Sequence, residues 1–512
     1  MRRVLMLLLA TAVPGLPLAA TAGDAPVVEL SLEEAVTRAL ENSPDVRVER
    51  LGNESTHLAV DELTRSYEPL LVSQLQIGSK LEPAQDAFTG GAEVSTRTAT
   101  WDFGVEQPLR SGGLVRLDML DTRLGSDSVY ATFNPGYATN LQLSLTQPLL
   151  RNLGIDERRQ RIRVAKKNRE ISDMAFRECV LNTTAEVKRR YFDLLLASGV
   201  VDAYQHVLTL TEKLQEDNRE RVEGGILPRS DLLLGDSELA ARRGDLLSAQ
   251  AKLKHAEDAL KRLILPKDAP AAWNARLRPT DDPPVEAVKV DLDAALRRAL
   301  EKRTDLRAAR ASLERSDVAR AFAQNQALPS VDLSATYGTL GVGGTQLVRD
   351  DLGGDVLKTI PGGYGDAISD ALARRYPTWT VGLSISYPIL NRSARVGLAR
   401  ARVGHEQAEA QVDQLEREVI LEVRDAALAV ETDYGRLQQA TKAYDLGKER
   451  LDAEMARLES GMSSPFFVVQ AQRDLTVAQL TMLNIVADYR KSVVSFERVQ
   501  EAGLSSDGFL TP

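Results

Sequence analysis

Apolar residues recur every seven positions along four stretches of the chain. Val180, Val187, Leu194, Val201 and Leu208 form one ladder, and Leu232, Leu239, Leu246, Leu253 and Leu260 form a second. Val423, Val430, Leu437, Tyr444, Leu451 and Leu458 form a third, and Val468, Leu475, Met482, Tyr489 and Phe496 a fourth. A sustained heptad predicts long helices whose seams stay in contact by left-handed supercoiling. The ladders pair as two antiparallel hairpins, turning at RVEGGILPRSDL (221–232) and RLESGMSSPFFV (457–468). The outgoing helix of the first hairpin, from about 156 to 222, is roughly 66 residues or about 100 Å long at 1.5 Å per residue. Its counterpart, from about 392 to 460, is similar. The returning helices, about 231–264 and 466–500, are half that length, and helices over about 44–68 and 304–327 are positioned to supply the missing half.

Between these helical stretches the period changes to two. VDLSATYG (331–338) sets Val331, Leu333, Ala335 and Tyr337 against Asp332, Ser334 and Thr336. LQLSLTQPLL (141–150) and VGLSISYPIL (381–390) alternate in the same way, and LLVSQLQIG (70–78) more loosely. Such alternation predicts strands of a sheet with one apolar and one polar face. Pro69 and Pro329 mark the entries to the strands, Pro148 and Pro388 their exits, and all four are strand–helix junctions. TWDFGVEQPL (100–109) and LVRLDML (114–120) flank Ser111-Gly112-Gly113, a candidate tight turn; the pattern does not say whether this hairpin joins the sheet. The second copy has a Gly-rich stretch from Gly341 to Tyr376 instead, expected as a loop.

The chain repeats itself. LEEAVTRALENSPDVR (32–47) returns as LDAALRRALEKRTDLR (292–307), with Ala35/Ala295, Ala39/Ala299, Leu40/Leu300 and Asp45/Asp305 among the identities. Farther along, Pro69 meets Pro329 and Gly78 meets Gly338. The domain organisation expected is a segment 1–22, a first strand–helix repeat over 23–265 (β-segments 70–150, helical hairpin 156–264), a linker over 266–290, and a second repeat over 291–512 (β-segments 330–390, helical hairpin 392–500). A two-stranded hairpin cannot stand in lipid, because its edges leave backbone groups unpaired; only a closed barrel avoids this. About four strands per chain are too few to close a pore, so oligomerisation is required, and three chains would supply about twelve.

Composition narrows the class. The 512 residues are 43% hydrophobic and 27% charged, as in a folded protein. The net charge of −9, without a dense basic cluster, argues against a nucleic-acid partner. MRRVLMLLLATAVPGLPLAATA has the positive end, short apolar run and Ala20-Thr21-Ala22 site of a signal peptide. Past it no apolar stretch is long enough for a transmembrane helix. Cys179 stands alone, so no intrachain disulfide forms. His57, His206, His255 and His405 share no ligand spacing, GTLGVGGT (338–345) lacks the Lys-Ser/Thr of a phosphate loop, and Asn182-Thr183-Thr184 lies inside a predicted helix. Neither an enzyme nor a cofactor or metal site is expected.

LSLEEAVTRAL and its second copy, QPLL and YPIL at the strand exits, RRYFDLLLA (189–197), GGILPRSDLL (225–234) and AQRDLTVAQL (471–480) occur in order over nearly the whole chain. In this arrangement the chain resembles the TolC-like outer-membrane efflux protein (outer membrane factor) family. The resemblance implies an α+β membrane protein: a homotrimeric β-barrel, with about four strands per protomer, in the outer membrane of a Gram-negative-type bacterium, in contact with its lipid. A coiled-coil α-helical barrel would continue it into the periplasm. It implies a passive exit duct for a tripartite efflux pump or a type I secretion system, partnered by a periplasmic adaptor (membrane fusion) protein and an inner-membrane transporter. Carried over by position, Arg221, Gly224, Gly225, Arg457 and Gly461 lie in tips that an adaptor contacts. Asp231, Arg229, Phe466, Phe467 and Gln470 line the periplasmic entrance. Asp231 keeps the acidic position of the first tip, but Phe467 and Gln470 stand where the family's namesake has an acidic pair. A partly apolar gate, weakly sensitive to divalent cations, is expected, or else Phe466 and Phe467 pack between hairpins. The alternative to a duct is a periplasmic coiled-coil adaptor or structural protein without a pore.

Overall fold

A computed structural model describes residues 26–83, 93–225, 228–283, 285–351 and 354–501, without the side chains of Asp231 and Ala271. The segment read as a signal peptide lies outside the described residues. In chain order the elements are β1 (Val27–Leu30), α1 (Leu32–Asn42), α2 (Pro44–Arg65), β2 (Leu70–Pro83), β3 (Glu93–Pro108), β4 (Leu114–Ser126) and β5 (Phe133–Pro148). Helices α3 (Glu157–Glu223) and α4 (Arg229–Ile264) follow, then a short 3-10 turn and β6 (Arg276–Pro279). The second half holds α5 (Leu292–Lys302), α6 (Thr304–Gln326), β7 (Ser330–Arg349), β8 (Val356–Ile360), α7 (Tyr364–Leu372), β9 (Tyr376–Ser386), α8 (Arg392–Glu459) and α9 (Pro465–Val499). Among the described residues two compact units result: 26–43 with Thr183–Val290 and Leu428–Ser495, and Pro44–Asn182 with Asp291–Ala427 and 496–501.

The sequence repeat is a structural one at its opening. α1 and α5 are both 11 residues long. Each starts on a side chain that accepts a backbone N–H of the first turn, from Glu34 to Ser31 and from Ala294 to Asp291, as N-caps do. Each buries the alanine pair of the repeat, Ala35 and Ala39 or Ala295 and Ala299. Small residues there let a neighbouring element approach closely.

The first unit is helical apart from a two-stranded parallel sheet of β1 and β6. Its main core joins Leu30, Ala35 and Ala39 to Tyr191, Leu194, Leu260, Ile264, Leu277 and Val494. The heptad positions Val187, Leu194, Leu260, Val430, Leu437, Leu451, Val468 and Tyr489 are all buried here, which is what a seam position requires. A second cluster, Leu451, Val468 and Ala471, lies against Leu214, Leu458 and Leu475.

The second unit carries a seven-stranded antiparallel sheet ordered β2-β3-β4-β5-β7-β9, with the short β8 on the far part of β7. This corrects the expectation of about four strands per chain: six long strands are present. The turn at Ser111-Gly112-Gly113 closes β3 on β4, with Gly112 at φ +93°, where a side chain would be strained. The hairpin is then seated between β2 and β5 by 14 paired residues on one side and 11 on the other. Its full length was missed because the outer part of β3, Ser95 to Thr100, is rich in threonine and has no apolar alternation.

Register makes the two faces explicit. Leu71, Val105, Leu117, Leu143, Tyr337 and Trp379 lie side by side across all six long strands, and all are exposed. One residue along is a row of Leu70, Glu106, Arg116, Ser144, Thr336 and Thr380, on the opposite face. The stretch from Gly341 to Tyr376 is not a loop throughout. It continues β7, adds β8 and forms α7, which lies on the apolar face of the sheet. Gly341 and Gly343 are points of close approach: a Cβ on either would overlap the backbone of α7 or of the residue before it. Thr339 donates to the carbonyl of Ala371 at 2.8 Å.

A polar knot sits among the helices of this unit. The buried Arg303 donates to Asp305 at 2.5 Å and to Glu422 at 2.6 Å, and its guanidinium is held charged by both. Glu178 has its pKa raised, first by burial and then by the Asp305 carboxylate. The folded value exceeds the unfolded one, so its contribution to stability is full below the ordinary carboxylate range and is lost as pH rises through the folded value. Glu178→Gln should therefore raise the melting temperature at neutral pH, by about 1–2 °C, and the gain should vanish near pH 4. Paired thermal melts at the two pH values check this.

Candidate functional site: the helical tips

The two helical hairpins of the first unit end in copied turns. After Glu459, Gly461 takes φ +73°, its N–H bonds the carbonyl of Leu458 at 3.1 Å, and the N–H of Met462 bonds that of Arg457 at 2.9 Å. These two bonds satisfy the orphan carbonyls of a helix end, and the left-handed residue between them favours glycine. At the other tip Gly225 takes φ +75° and its N–H bonds Val222 at 3.0 Å, while Gly224 bonds Glu220 at 2.9 Å. Both hairpins resume helix at a proline: Pro228 precedes α4 and Pro465 is the first residue of α9, where its missing N–H costs nothing.

The residues named from sequence fall around these turns. Arg221 is half-buried in the last turn of α3, Arg229 is the exposed first residue of α4, and the backbone of Asp231 belongs to α4. Arg457 pairs with Glu454 at 3.3 Å. Phe466 and Phe467 stack edge to face, with ring centroids 5.6 Å apart, and each is 56% exposed. Within one chain, then, the two rings are not swallowed by hairpin packing. Gln470 donates to Asp474 at 3.0 Å, and Asp474 in turn takes Arg450 at 2.8 Å. The prolines fall at the strand boundaries: Pro69 and Pro329 directly precede β2 and β7, Pro148 ends β5, and Pro388 lies between β9 and α8.

The strongest tie at the tips involves residues that the sequence did not single out. Glu238 of α4 is 5% exposed and accepts from Arg473 of α9, so the two hairpins are joined by a charge pair. Arg242, one turn along α4, donates to the same carboxylate at 2.6 Å. The hydrogen bond from Arg473 is the main reason the Glu238 pKa is depressed; burial opposes it and Arg242 adds to it. Gln215 of α3 donates to Asp236 at 2.8 Å and to the carbonyl of Leu232 at 3.1 Å. Beside these groups is a cavity of about 230 Å³ lined by Leu214, Asn218, Leu234, Gly235, Phe466 and Val469. Glu238 borders the heptad position Leu239, and a charge beside an apolar seam was the only sequence signal available. Its partner lies 235 residues away.

The arrangement offers no reactive chemistry. Among the described residues no cluster of three or more His, Cys, Asp or Glu could hold a metal ion. What the tips provide is a set of polar ties between two coiled-coil hairpins, with a pair of exposed aromatic rings at the turn.

Compared with known protein families, residues 115–264 and 295–499 match the model described as outer membrane efflux protein. No curated protein matches the chain. Among solved structures it is similar to the CmeC outer membrane channel of Campylobacter jejuni, at 15% identity over 92% of this chain and 85% of that one, TM-score 0.61. The outer membrane protein VceC of Vibrio cholerae is similar at 14% identity over 93% and 97%, TM-score 0.62. So is the open state of the MtrE outer membrane channel of Neisseria gonorrhoeae, at 16% identity over 92% and 89%, TM-score 0.60. At these identities the likeness is one of fold.

Proposed function

The chain belongs to the outer membrane efflux protein family, and from that premise we propose that three copies close into one passive exit duct. It is an outer-membrane channel protein and not an enzyme. The observation that carries the duct is the sheet of the second unit. It has an exposed apolar row on one face, a row that is polar in all but Leu70 on the other, and two open edges, β2 and β9. Among the described residues no helix is long and apolar enough to cross a membrane. A sheet can stand in lipid only when its edges are paired, and the partner of like chemistry for each edge is another copy of the chain. A pore-less adaptor would have no use for such a sheet.

In this reading the leader 1–22 directs export and is removed, and the two repeats, joined by the 266–290 linker, supply the staves of barrel and tube. The helical tips face the periplasm, where Arg221, Gly224, Gly225, Arg457 and Gly461 meet an adaptor fed by an inner-membrane transporter. Arg229, Asp231, Phe466, Phe467 and Gln470 surround the entrance. The partner is a drug or metal efflux pump or a type I secretion system. The exposed Phe466–Phe467 pair favours an entrance whose narrowest ring is apolar rather than acidic.

Single-channel current in planar bilayers tests the duct: discrete ion-conducting steps are expected, and membranes that stay silent with correctly folded protein would refute it. The same recordings test the entrance. Millimolar divalent cation should change the native current by less than about two-fold. The Phe467→Asp, Gln470→Asp double variant should be blocked about ten-fold, since rings of carboxylates bind cations.

A further inference from the structure

In the second unit four helices, α2, α3, α6 and α8, adjoin six long strands, and the mismatch has a geometric purpose. Polar contacts order the helices as a single layer. Asn53 of α2 bonds Asp173 of α3 at 2.7 Å, Lys167 of α3 pairs with Glu314 of α6 at 2.5 Å, and Arg310 of α6 pairs with Glu416 of α8 at 2.8 Å. The strands attached to these helices come in the same order: β2 after α2, β5 before α3, β7 after α6 and β9 before α8. β3 and β4 are the exception. They double back between β2 and β5 with no helix of their own.

Helices pack about 8–10 Å apart, so the layer from α2 to α8 is about 24–30 Å wide. Strands lie about 4.8 Å apart, and at a barrel tilt of about 40° each takes about 6 Å of circumference. Four strands would span only about 19 Å between their outer members, whereas six span about 31 Å. The hairpin therefore brings the sheet to the width of the helix layer.

The faces of the hairpin agree with this place in the wall. Phe103, Val105 and Leu117 continue the apolar face of Leu71 and Leu143, while Asp102, Glu106 and Asp118 surround Arg116 on the other. Such a charge group is costly in lipid and needs the watery side. We infer that the β3–β4 hairpin is a built-in spacer that makes the membrane barrel eighteen strands around, so that the duct keeps the bore of its helical tube through the membrane. This inference rests on the ring of three proposed above.

Distances between spin labels read the bore directly. The label goes on the lipid-facing Leu383→Cys of β9 in a Cys179→Ser background, in the full chain. Backbone positions related by three-fold symmetry are about 31 Å apart in an eighteen-stranded barrel and about 21 Å apart in a twelve-stranded one. The native protein should give the longer spacing. A variant lacking residues 93–126 keeps the up-and-down order of β2 and β5, and its spacing should be about 10 Å shorter. A trimer whose native spacing equals that of the shortened variant would overturn the spacer while leaving the duct intact. A native protein that is monomeric by mass would overturn the duct reading itself, and the spacer with it.

Discussion

Replacing Arg473 with alanine should leave a folded channel that conducts more at rest. Arg473 is the cross-link: it reaches from α9 to the buried Glu238 of α4, whereas Arg242 reaches Glu238 from within α4. In Arg473→Ala the carboxylate keeps Arg242, so no buried charge is stranded and the fold should survive. What is lost is a charge-assisted tie between hairpins, about 1.5–3 kcal/mol. A tie of that size favours this arrangement of the tips over one with the hairpins parted by about ten- to a hundred-fold per chain. Resting conductance in bilayers should rise accordingly, and Arg473→Lys, which keeps the charge, should restore part of the closure. Glu238→Ala should be worse, since it leaves Arg242 and Arg473 facing each other without their acid. Acid should act in the same direction. Arg473 and Arg242 depress the Glu238 pKa against the effect of burial, so the tie is fully present above the unfolded value. It is lost as pH falls through the folded one, below the ordinary range of about 4. Conductance that is unchanged in Arg473→Ala would show that the pair does not restrain the tips.

The largest loss of stability should come from Tyr191. Its side chain is fully buried in the core of the first unit. Its hydroxyl donates to the carbonyl of Leu30 at 3.1 Å and accepts the N–H of Asp281 at 3.0 Å. One ring thus ties β1, the linker at Asp281 and the middle of α3 together. Tyr191→Phe removes the two hydrogen bonds but keeps the packing; the Leu30 carbonyl keeps the N–H of Thr280 while the N–H of Asp281 loses its partner, and the cost should be about 1–2 kcal/mol. Tyr191→Ala adds a cavity and should cost about 3–5 kcal/mol. Burial raises the Tyr191 pKa, so the native contribution is complete below pH 10 and is lost only as pH rises through the folded value. Thermal melts, together with protease cutting in the 266–290 linker, report the loss. A Tyr191→Phe protein as stable as the native one would mean that the hydroxyl contacts are not made.

Helices and their turns were legible in the chain because their signals are local. The heptads fixed the faces, and Gly225, Gly461 and Pro465 punctuate the tips by their own backbone chemistry. The expected helix over 231–264 was found as Arg229–Ile264. Strands were legible where leucine and valine alternate with serine and glutamine. They were not legible at Ser95–Thr100, where Thr96, Thr98 and Thr100 share one face and Ser95, Arg97 and Ala99 the other, so no apolar alternation shows. Glycine misled at Gly341 and Gly343: read as loop signals, they instead remove the Cβ atoms that would collide with the backbone of α7. The Glu238–Arg473 tie could not be read at all, because pairing two charges across so long a separation depends on which hairpin lies beside which. Arg221, Arg229, Phe466 and Phe467 were placed near the turns by their positions alone.

The central claim is that open sheet edges on one copy are closed by others, and the native mass of the purified protein in mild detergent tests it most directly. The account predicts three copies in one particle. A folded, stable monomer would contradict it, because β2 and β9 would then be standing in lipid with their backbone groups unpaired.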